Sequence, residues 1–387
     1  MLKNGRWSFT SLAICVILVC SLVVGCGGDN GAANDAAKDV GNTSDPEKTW
    51  ILKYDYYSIE NSEPSIIDKW YFNEVAARSN GRIKIEYYWA GALRKTGEHY
   101  GAVRDGLSEL SFLNYGYYSS ELPVSRGVEW KWRPGLESPD GLNKAINKLY
   151  DETKVWQQEY ENANMKVLYM SNWGAEACLF KEPIMSIEQL KGLKARTYGI
   201  EGDVMKILGA IPLAIANNET YTSIESGVID CVTSFGLRTA AGMRLHEQAK
   251  HIVDIGSGVQ GPSAVVINLG LWNEFPQDIR DIFLEVRKEL IDYKWAEIMN
   301  NTVVEAVNMM IEDGAEFHEW PEEVVAEAAA IAVPMQEEMW INDMVGMGIM
   351  TEEECKDFLA KLDRYAAEFT KGAQVKSFSE VYKEITN

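Results

Sequence analysis

Residues 186–235, "SIEQLKGLKARTYGIEGDVMKILGAIPLAIANNETYTSIESGVIDCVTSF", carry the alternation that decides the fold. Ser186, followed three residues later by Gln189, forms a capping box ahead of a short helix. The polar turn at Gly192 then releases the chain into an extended run, "LKARTY". "IPLAIA" and "VIDCVTSF" read as further strands, and "NNETYTSIESG" between them as a helix that starts at an Asn cap and stops at Gly227. Strands alternating with short helices predict an α/β fold, whose ligands sit at the carboxyl ends of the strands. Arg196 stands where the strand pattern calls for an apolar residue. A guanidinium does not give up its proton and is costly to bury, so Arg196 requires water or an anion beside it.

The same alternation extends in both directions. "WILKYDYYS" and "GRIKIEYYW" are strands enriched in aromatic and β-branched residues, and Ser65 to Ser79 between them has apolar residues at helical spacing, closed by Gly81. "MKVLYMS", "ACLFK", "HIVDI" and "AVVINL" add strands. After Pro276 the pattern becomes helical from Ile279 to Ile311 with no Pro or Gly inside it, long enough to pass from one lobe to another. The remainder, to about Phe378, reads as amphipathic helices packing outside. A chain of 387 residues with 46% hydrophobic content exceeds the size at which a single core stops growing, which predicts two lobes.

A formal charge of -21 and the lack of any dense basic run exclude nucleic acid as a partner. At the N-terminus, Lys3 and Arg6 precede an apolar run from Leu12 to Val24 that ends in "VVGC". That run is shorter than the roughly 20 residues a spanning helix needs. It predicts a lipoprotein signal over residues 1–25, with Cys26 as the lipidated first residue of the mature protein, and an uncleaved membrane anchor as the alternative. Residues 26–48, rich in Gly, Ala, Asn and Asp, form a flexible tether. Of the cysteines in the folded part, Cys178 and Cys231 sit in strands of one lobe and read as buried free thiols, although an exported location permits a disulfide.

The chemistry is marked by absences. His99, His246, His251 and His318 include no i,i+4 metal pair, and there is no Gly-x-Ser-x-Gly elbow and no Walker loop. Gly256, Gly258 and Gly261 spell Gly-x-Gly-x-x-Gly, but Pro262 and the strand "SAVVINL" follow where a dinucleotide fold needs a helix. The glycines instead read as a loop between lobes. No metal, no cofactor and no enzymatic activity are expected.

Several motifs match one family in order. "LKGLKAR" resembles its Leu-Lys-Gly-Leu-Lys-x-Arg strand, "LGAIPL" its Leu-Gly-Ala-x-Pro turn, "ETYTSIESGVID" its Glu-x-Tyr-x-Ala-Leu-x-x-Gly-Val-x-Asp segment, and "SNGRIKIEYYWAGAL" its Ser-Gly-Gly-Arg-Ile-x-Ile stretch. The chain thereby resembles, from about Trp50 to about Asn301, the solute-binding subunits of tripartite ATP-independent periplasmic (TRAP) transporters, the DctP-like family. The resemblance implies a two-lobe periplasmic-binding-protein fold with crossing hinge strands and a long helix spanning both lobes. Residues 49–173 and 262–300 would form lobe I, and residues 174–261 and 301–387 lobe II with the C-terminal helices.

Arg196 falls on the arginine that forks the ligand's carboxylate in this family. Where many members carry a second arginine, this chain has Glu176, which would repel a second ligand carboxylate, receive a ligand ammonium group, hydroxyls or a metal ion, face solvent, or pair with Arg196. Ser234 stands where sialic-acid-type members have Asn. Trp173, Tyr198, Glu219, Tyr221, Asn114 and Tyr115 complete the candidate ligand site, with Tyr117, Asn61 and Glu63 nearby in sequence. The implied function is capture of a small organic acid, a monocarboxylate, by a membrane-anchored extracytoplasmic lipoprotein that hands it to TRAP membrane subunits. Presentation of the ligand to a sensor kinase is the alternative, and an extracytoplasmic enzyme using Glu176 beside Arg196 is a more distant one.

Overall fold

Burial alternates along "WILKYD", with Trp50, Leu52 and Tyr54 inward and Ile51 and Lys53 outward, and this period of two makes the first strand of a computed structural model that describes residues 48–259 and 261–386. The predicted signal, Cys26 and all of the tether except Lys48 lie outside the described residues. In chain order the strands are β1 (Trp50–Asp55), β2 (Ile83–Tyr88), β3 (Leu110–Asn114), β4 (Met165–Ser171), β5 (Glu176–Phe180), β6 (Lys194–Arg196), β7 (Ile211–Leu213), β8 (Cys231–Gly236), β9 (His251–Asp254), β10 (Ser263–Asn268) and β11 (Glu316–Glu319).

They form two sheets, and each sheet organises one lobe. Lobe I has the order β2-β1-β3-β10-β4, with β1 parallel to β2 and β3 and with β10 antiparallel to β3 and β4. Lobe II has the order β11-β9-β5-β8-β6-β7. The chain passes from lobe I to lobe II between β4 and β5 and returns between β9 and β10, and these two crossings meet at a bridge between Ala175 and Val259. Gly256, Gly258 and Gly261, all at positive φ, lie on the return crossing, so the glycine motif is the inter-lobe loop.

A third connection is helical. Gln277–Glu289 continues through a π-helical turn, Leu290–Lys294, into Trp295–Glu312. Its first part buries Ile279, Phe283 and Leu290 in the lobe I core, and its last part buries Val303, Val307 and Met310 in the lobe II core. The helix Glu322–Gly346 also touches both lobes, with Ala328 and Ala332 in the lobe II core and Trp340 and Met344 in a lobe I core.

Four expectations change. The C-terminal helix Glu352–Thr370 packs on lobe I rather than lobe II, because Phe358, Leu359 and Leu362 join Leu149 and Trp156 in one cluster. The capping box at Ser186 does not form: Ser186 makes no capping bond, and Gln189 Oε1 accepts from the Met185 amide at 2.7 Å. Asn217 caps no helix, since Asn217–Glu219 is a 3₁₀ turn ahead of the helix Thr220–Glu225. β3 and β11 were not among the predicted strands. Cys178, Cys231 and Cys355 are buried free thiols. Among the described residues no helix is long and apolar enough to cross a membrane.

Candidate functional site

Strand β6 ends at Arg196, and the chain then turns so that Thr197 and Tyr198 lead into the helix Gly199–Ile207. Arg196 is fully buried at 0% exposure. Its Nε donates to Ile215 O at 3.1 Å, Nη1 to Ser234 O at 3.2 Å, and Nη2 to Asn217 Oδ1 at 2.7 Å and Tyr117 OH at 3.2 Å. The rings of Phe235 and Tyr198 face the guanidinium carbon at 4.4 and 4.7 Å. Every one of these partners is neutral. Among the described residues Arg196 makes no ion pair, so a whole positive charge is held by carbonyls, one amide, one phenol and two π faces.

Tyr117 belongs to lobe I and stacks on Tyr198 of lobe II, with centroids 4.2 Å apart and planes 12° from parallel. The lobes are therefore in contact across the site. Backbone contact is closer still beside it, because a Cβ added to Gly199 would stand 2.8 Å from the Gly116 Cα.

Glu176 opens β5 and does not meet Arg196, metal-ligand partners or solvent. Its Oε2 accepts from Lys131 Nζ at 2.8 Å and from the Ser257 hydroxyl, and its Oε1 accepts from the Ser234 amide at 3.0 Å. Lys131 also stands 3.5 Å from Glu201 Oε2 and is clamped through its backbone by Gln336, at 3.0 Å in both directions. Burial raises the Glu176 carboxyl, but the Lys131 ammonium together with the hydrogen bonds from Lys131, Glu201 and Ser257 outweighs it and holds Glu176 ionised, well below the usual carboxylate range. Burial and the Glu176 charge push Glu201 up to about 8. Burial likewise pushes Glu129 up to about 7.

A cavity of about 20 Å³ lies between the lobes, bordered by Asn114, Glu129, Lys131, Tyr198, Glu201 and Ser234. That is room for about one water molecule. Ser234 takes φ +63°, an unusual backbone for a residue with a Cβ, and thereby sends its amide to Glu176 and its carbonyl to Arg196. Among the described residues several buried polar atoms here have no partner: Asn114 Nδ2, Trp173 Nε1, Glu129 Oε2 and Glu201 Oε1. The two nitrogens converge on Gly261, where a Cβ would stand 2.7 Å from Asn114 Nδ2 and 3.5 Å from Trp173 Nε1.

The fold thus gathers Arg196, Glu176, Ser234, Tyr198, Asn114 and Trp173, and separates three other candidates. Tyr115 is sealed in the lobe I core with its hydroxyl on Met170 Sδ, and Tyr117 takes the place beside Arg196. Glu219 is exposed, and Tyr221 hydrogen-bonds Glu247 at 2.9 Å; Asn217 reaches Arg196 from this segment instead. Glu63 caps the helix Leu237–Gly242 across the lobes through the amide of Thr239. Lys131, Glu129 and Glu201 were missed. The signal for the first two was the "GVEWKW" stretch, two charges set among apolar residues that point to burial. No metal pair was expected, yet the parallel register of β9 and β11 brings His251, Glu316 and His318 within 4.8 Å, with the two imidazoles hydrogen-bonded at 3.0 Å.

Residues 60–343 match the DctP family, bacterial extracellular solute-binding protein family 7. The chain belongs to this family. Among curated relatives, the monocarboxylate 2-oxoacid-binding periplasmic protein of Nostoc sp. is 27% identical over 274 residues, 68% of this chain and 72% of the relative. The C4-dicarboxylate-binding periplasmic protein DctP of Rhodobacter capsulatus is 29% identical over 276 residues, 69% of this chain and 80% of the relative. A TRAP solute-binding protein of Rhodoferax ferrireducens, solved with copurified benzoate, superposes with a TM-score of 0.75 at 18% identity, over 84% of this chain and all of its own. This DctP-family chain therefore has the two-lobe fold of the TRAP receptors, and the crossings and the long helical run described above are its inter-lobe connections.

Proposed function

We propose that the chain is an extracytoplasmic receptor that captures a small organic acid through a single carboxylate and delivers it to the membrane subunits of a TRAP-type transporter, held near them by a lipid on Cys26. The observation that carries this reading is Arg196: a guanidinium at 0% exposure, supported on all sides by neutral groups, with no carboxylate of the described residues paired to it. Burying an unpaired charge is costly, and a ligand carboxylate docking on the fork supplies the missing anion.

The relatives leave the number of ligand carboxylates open, since one is named for monocarboxylates and another for C4-dicarboxylates. The site favours one. Among the residues that border the cavity Lys131 is the cation, and Glu176 neutralises it at 2.8 Å, so a second ligand carboxylate would meet Glu176, Glu201 and Glu129. Capture needs no bond-breaking step. The lobes open about the two crossings and the helical run, admit the acid, and close through the Tyr117–Tyr198 stack, presenting one shape to the membrane subunits.

The test is isothermal titration of the soluble chain from Trp50 onward with monocarboxylates and with dicarboxylates of matched length, on the wild type and on Arg196→Ala. Binding restricted to monocarboxylates and abolished by Arg196→Ala supports the reading. Preferential binding of diacids, or retention of binding in the variant, overturns it.

A further inference from the structure

The cavity is chemically two-ended. On one side, among the described residues, Asn114 Nδ2 and Trp173 Nε1 lack an acceptor, and the Arg196 guanidinium, in contact with Ser234 and Tyr198 of the cavity wall, has only neutral acceptors. On the other stand two carboxyl oxygens that lack a donor among the described residues, Glu129 Oε2 and Glu201 Oε1, although their residues are only 7% and 3% exposed. Lys131 is the one ammonium on that side, and its closest anion is Glu176 at 2.8 Å, with Glu201 farther off at 3.5 Å. Three buried carboxyls therefore share Lys131, with the Arg126 guanidinium also acting on Glu129. A plain monocarboxylate satisfies the first end and leaves two carboxyl oxygens stranded, each at the cost of an unmade buried hydrogen bond.

We propose that the ligand carries an ammonium group beside its carboxylate, with the carboxylate on Arg196 and the ammonium seated on Glu129 and Glu201, so that the chain is a receptor for a zwitterionic amino or imino acid. This rests on the reading of Arg196 as the carboxylate anchor. An ammonium offers up to three donors to the acceptors that lack them and restores the balance of charge at both ends of the cavity. Approach of a cation also favours the ionised form of both carboxyls, which burial alone disfavours. A divalent metal is a poorer fit at this end, because Lys131 already occupies the point where Glu176 and Glu201 converge, and the one cluster of metal-ligand spacing among the described residues lies elsewhere, at His251, Glu316 and His318.

The experiment compares probes of one shape that differ in a single group: pivalate, 2-hydroxyisobutyrate and 2-aminoisobutyrate, with phenylacetate, mandelate and phenylglycine as a larger set and cyclopentanecarboxylate against proline as a cyclic one. Each is titrated calorimetrically into the wild type, Glu129→Gln, Glu201→Gln and Arg196→Ala at pH 7. The expected result is that in at least one set the ammonium member binds ten-fold or more tightly than its plain and hydroxylated counterparts, and that either glutamine variant removes most of that preference. Tighter binding of plain or hydroxy acids overturns the proposal, as does a preference that survives in both glutamine variants. If the ammonium preference persists in Arg196→Ala, the carboxylate anchor is misassigned while the ammonium seat stands; if no probe of any set binds the wild type, both readings fall. The wild-type comparison decides the matter even where a variant folds poorly.

Discussion

Lys131 Nζ lies 2.8 Å from Glu176 Oε2, with the two side chains only 5% and 1% exposed. The pair joins a loop residue to the first residue of a lobe II strand, 45 positions along the chain, exactly at neither end of a helix and with no periodicity to announce it. Ser257 and the Ser234 amide complete the Glu176 carboxylate, so the inter-lobe loop and the edge of the cavity hang on this one group.

Removing one partner should therefore be far worse than removing both. Lys131→Met leaves Glu176 buried without the cation that holds it ionised, at an expected loss of about 3–5 kcal/mol. Lys131→Met with Glu176→Gln should recover a large part of that loss, because a neutral amide needs no counter-charge. Urea denaturation of the wild type, the single variant and the double variant measures this, and a double variant no more stable than the single would show that the pair is not the source of the loss.

Asn217→Asp is the sharpest probe of Arg196. It places a carboxylate where an amide oxygen now accepts from Nη2 at 2.7 Å, and so supplies from within the chain the anion that the ligand is proposed to bring. The guanidinium is already desolvated, so only the new carboxylate has to be buried. Affinity for acids should fall ten-fold or more while the melting temperature holds or rises. Calorimetry and thermal unfolding on the same sample check both halves, and an unchanged affinity would separate Arg196 from ligand binding.

What the sequence revealed follows from where pattern and structure coincide. The alternation in "WILKYD" and the β-branched run around Val266 identified their strands because one face or both faces of those strands are buried. β3 escaped because all five of its residues are buried and no alternation survives in "LSFLN". The 3₁₀ turn that follows, Tyr115–Tyr117, sends Tyr115 into the core and Tyr117 to Arg196, a distinction of two residues that strand spacing cannot make. Asn217 replaced Glu219 for the same reason, another 3₁₀ turn in place of a regular helix. Glu129 and Lys131 lie in a connection outside regular structure, where only their partners distant in sequence define their role.

Closure of the lobes can be tested at Gly116. Its backbone is not in the left-handed region, but an added Cβ would stand 2.8 Å from the ring of Tyr198 on the opposite lobe. Gly116→Ala should leave each lobe intact and hold them apart. Ligand affinity should drop at least ten-fold with little change in melting temperature of the free protein, and small-angle scattering with ligand should show a larger radius of gyration than the wild type. Wild-type affinity and radius would mean that Tyr198 yields without opening the lobes.

Asp68 makes stability depend on pH. It is fully buried in lobe I, where the hydroxyls of Tyr54 and Tyr169 donate to its two oxygens. Burial pushes its carboxyl up to about 7, and the two tyrosine bonds only partly offset that rise. An unfolded aspartate titrates near about 3.9, so between those values the folded protein binds the proton that the unfolded chain has lost. The stabilising contribution is complete below the unfolded value and is lost as pH rises through about 7. Each proton bound only in the folded state gives a slope of about 1.4 kcal/mol per pH unit. Wild-type stability should therefore decline relative to Asp68→Asn between pH 5 and pH 7, by about 2–3 kcal/mol on that slope. Because Glu176 titrates in the opposite sense and is common to both proteins, the difference between them isolates Asp68. Chemical denaturation at pH 5, 6, 7 and 8 measures it, and a difference that stays constant across that range would mean that Asp68 is already ionised in the folded protein.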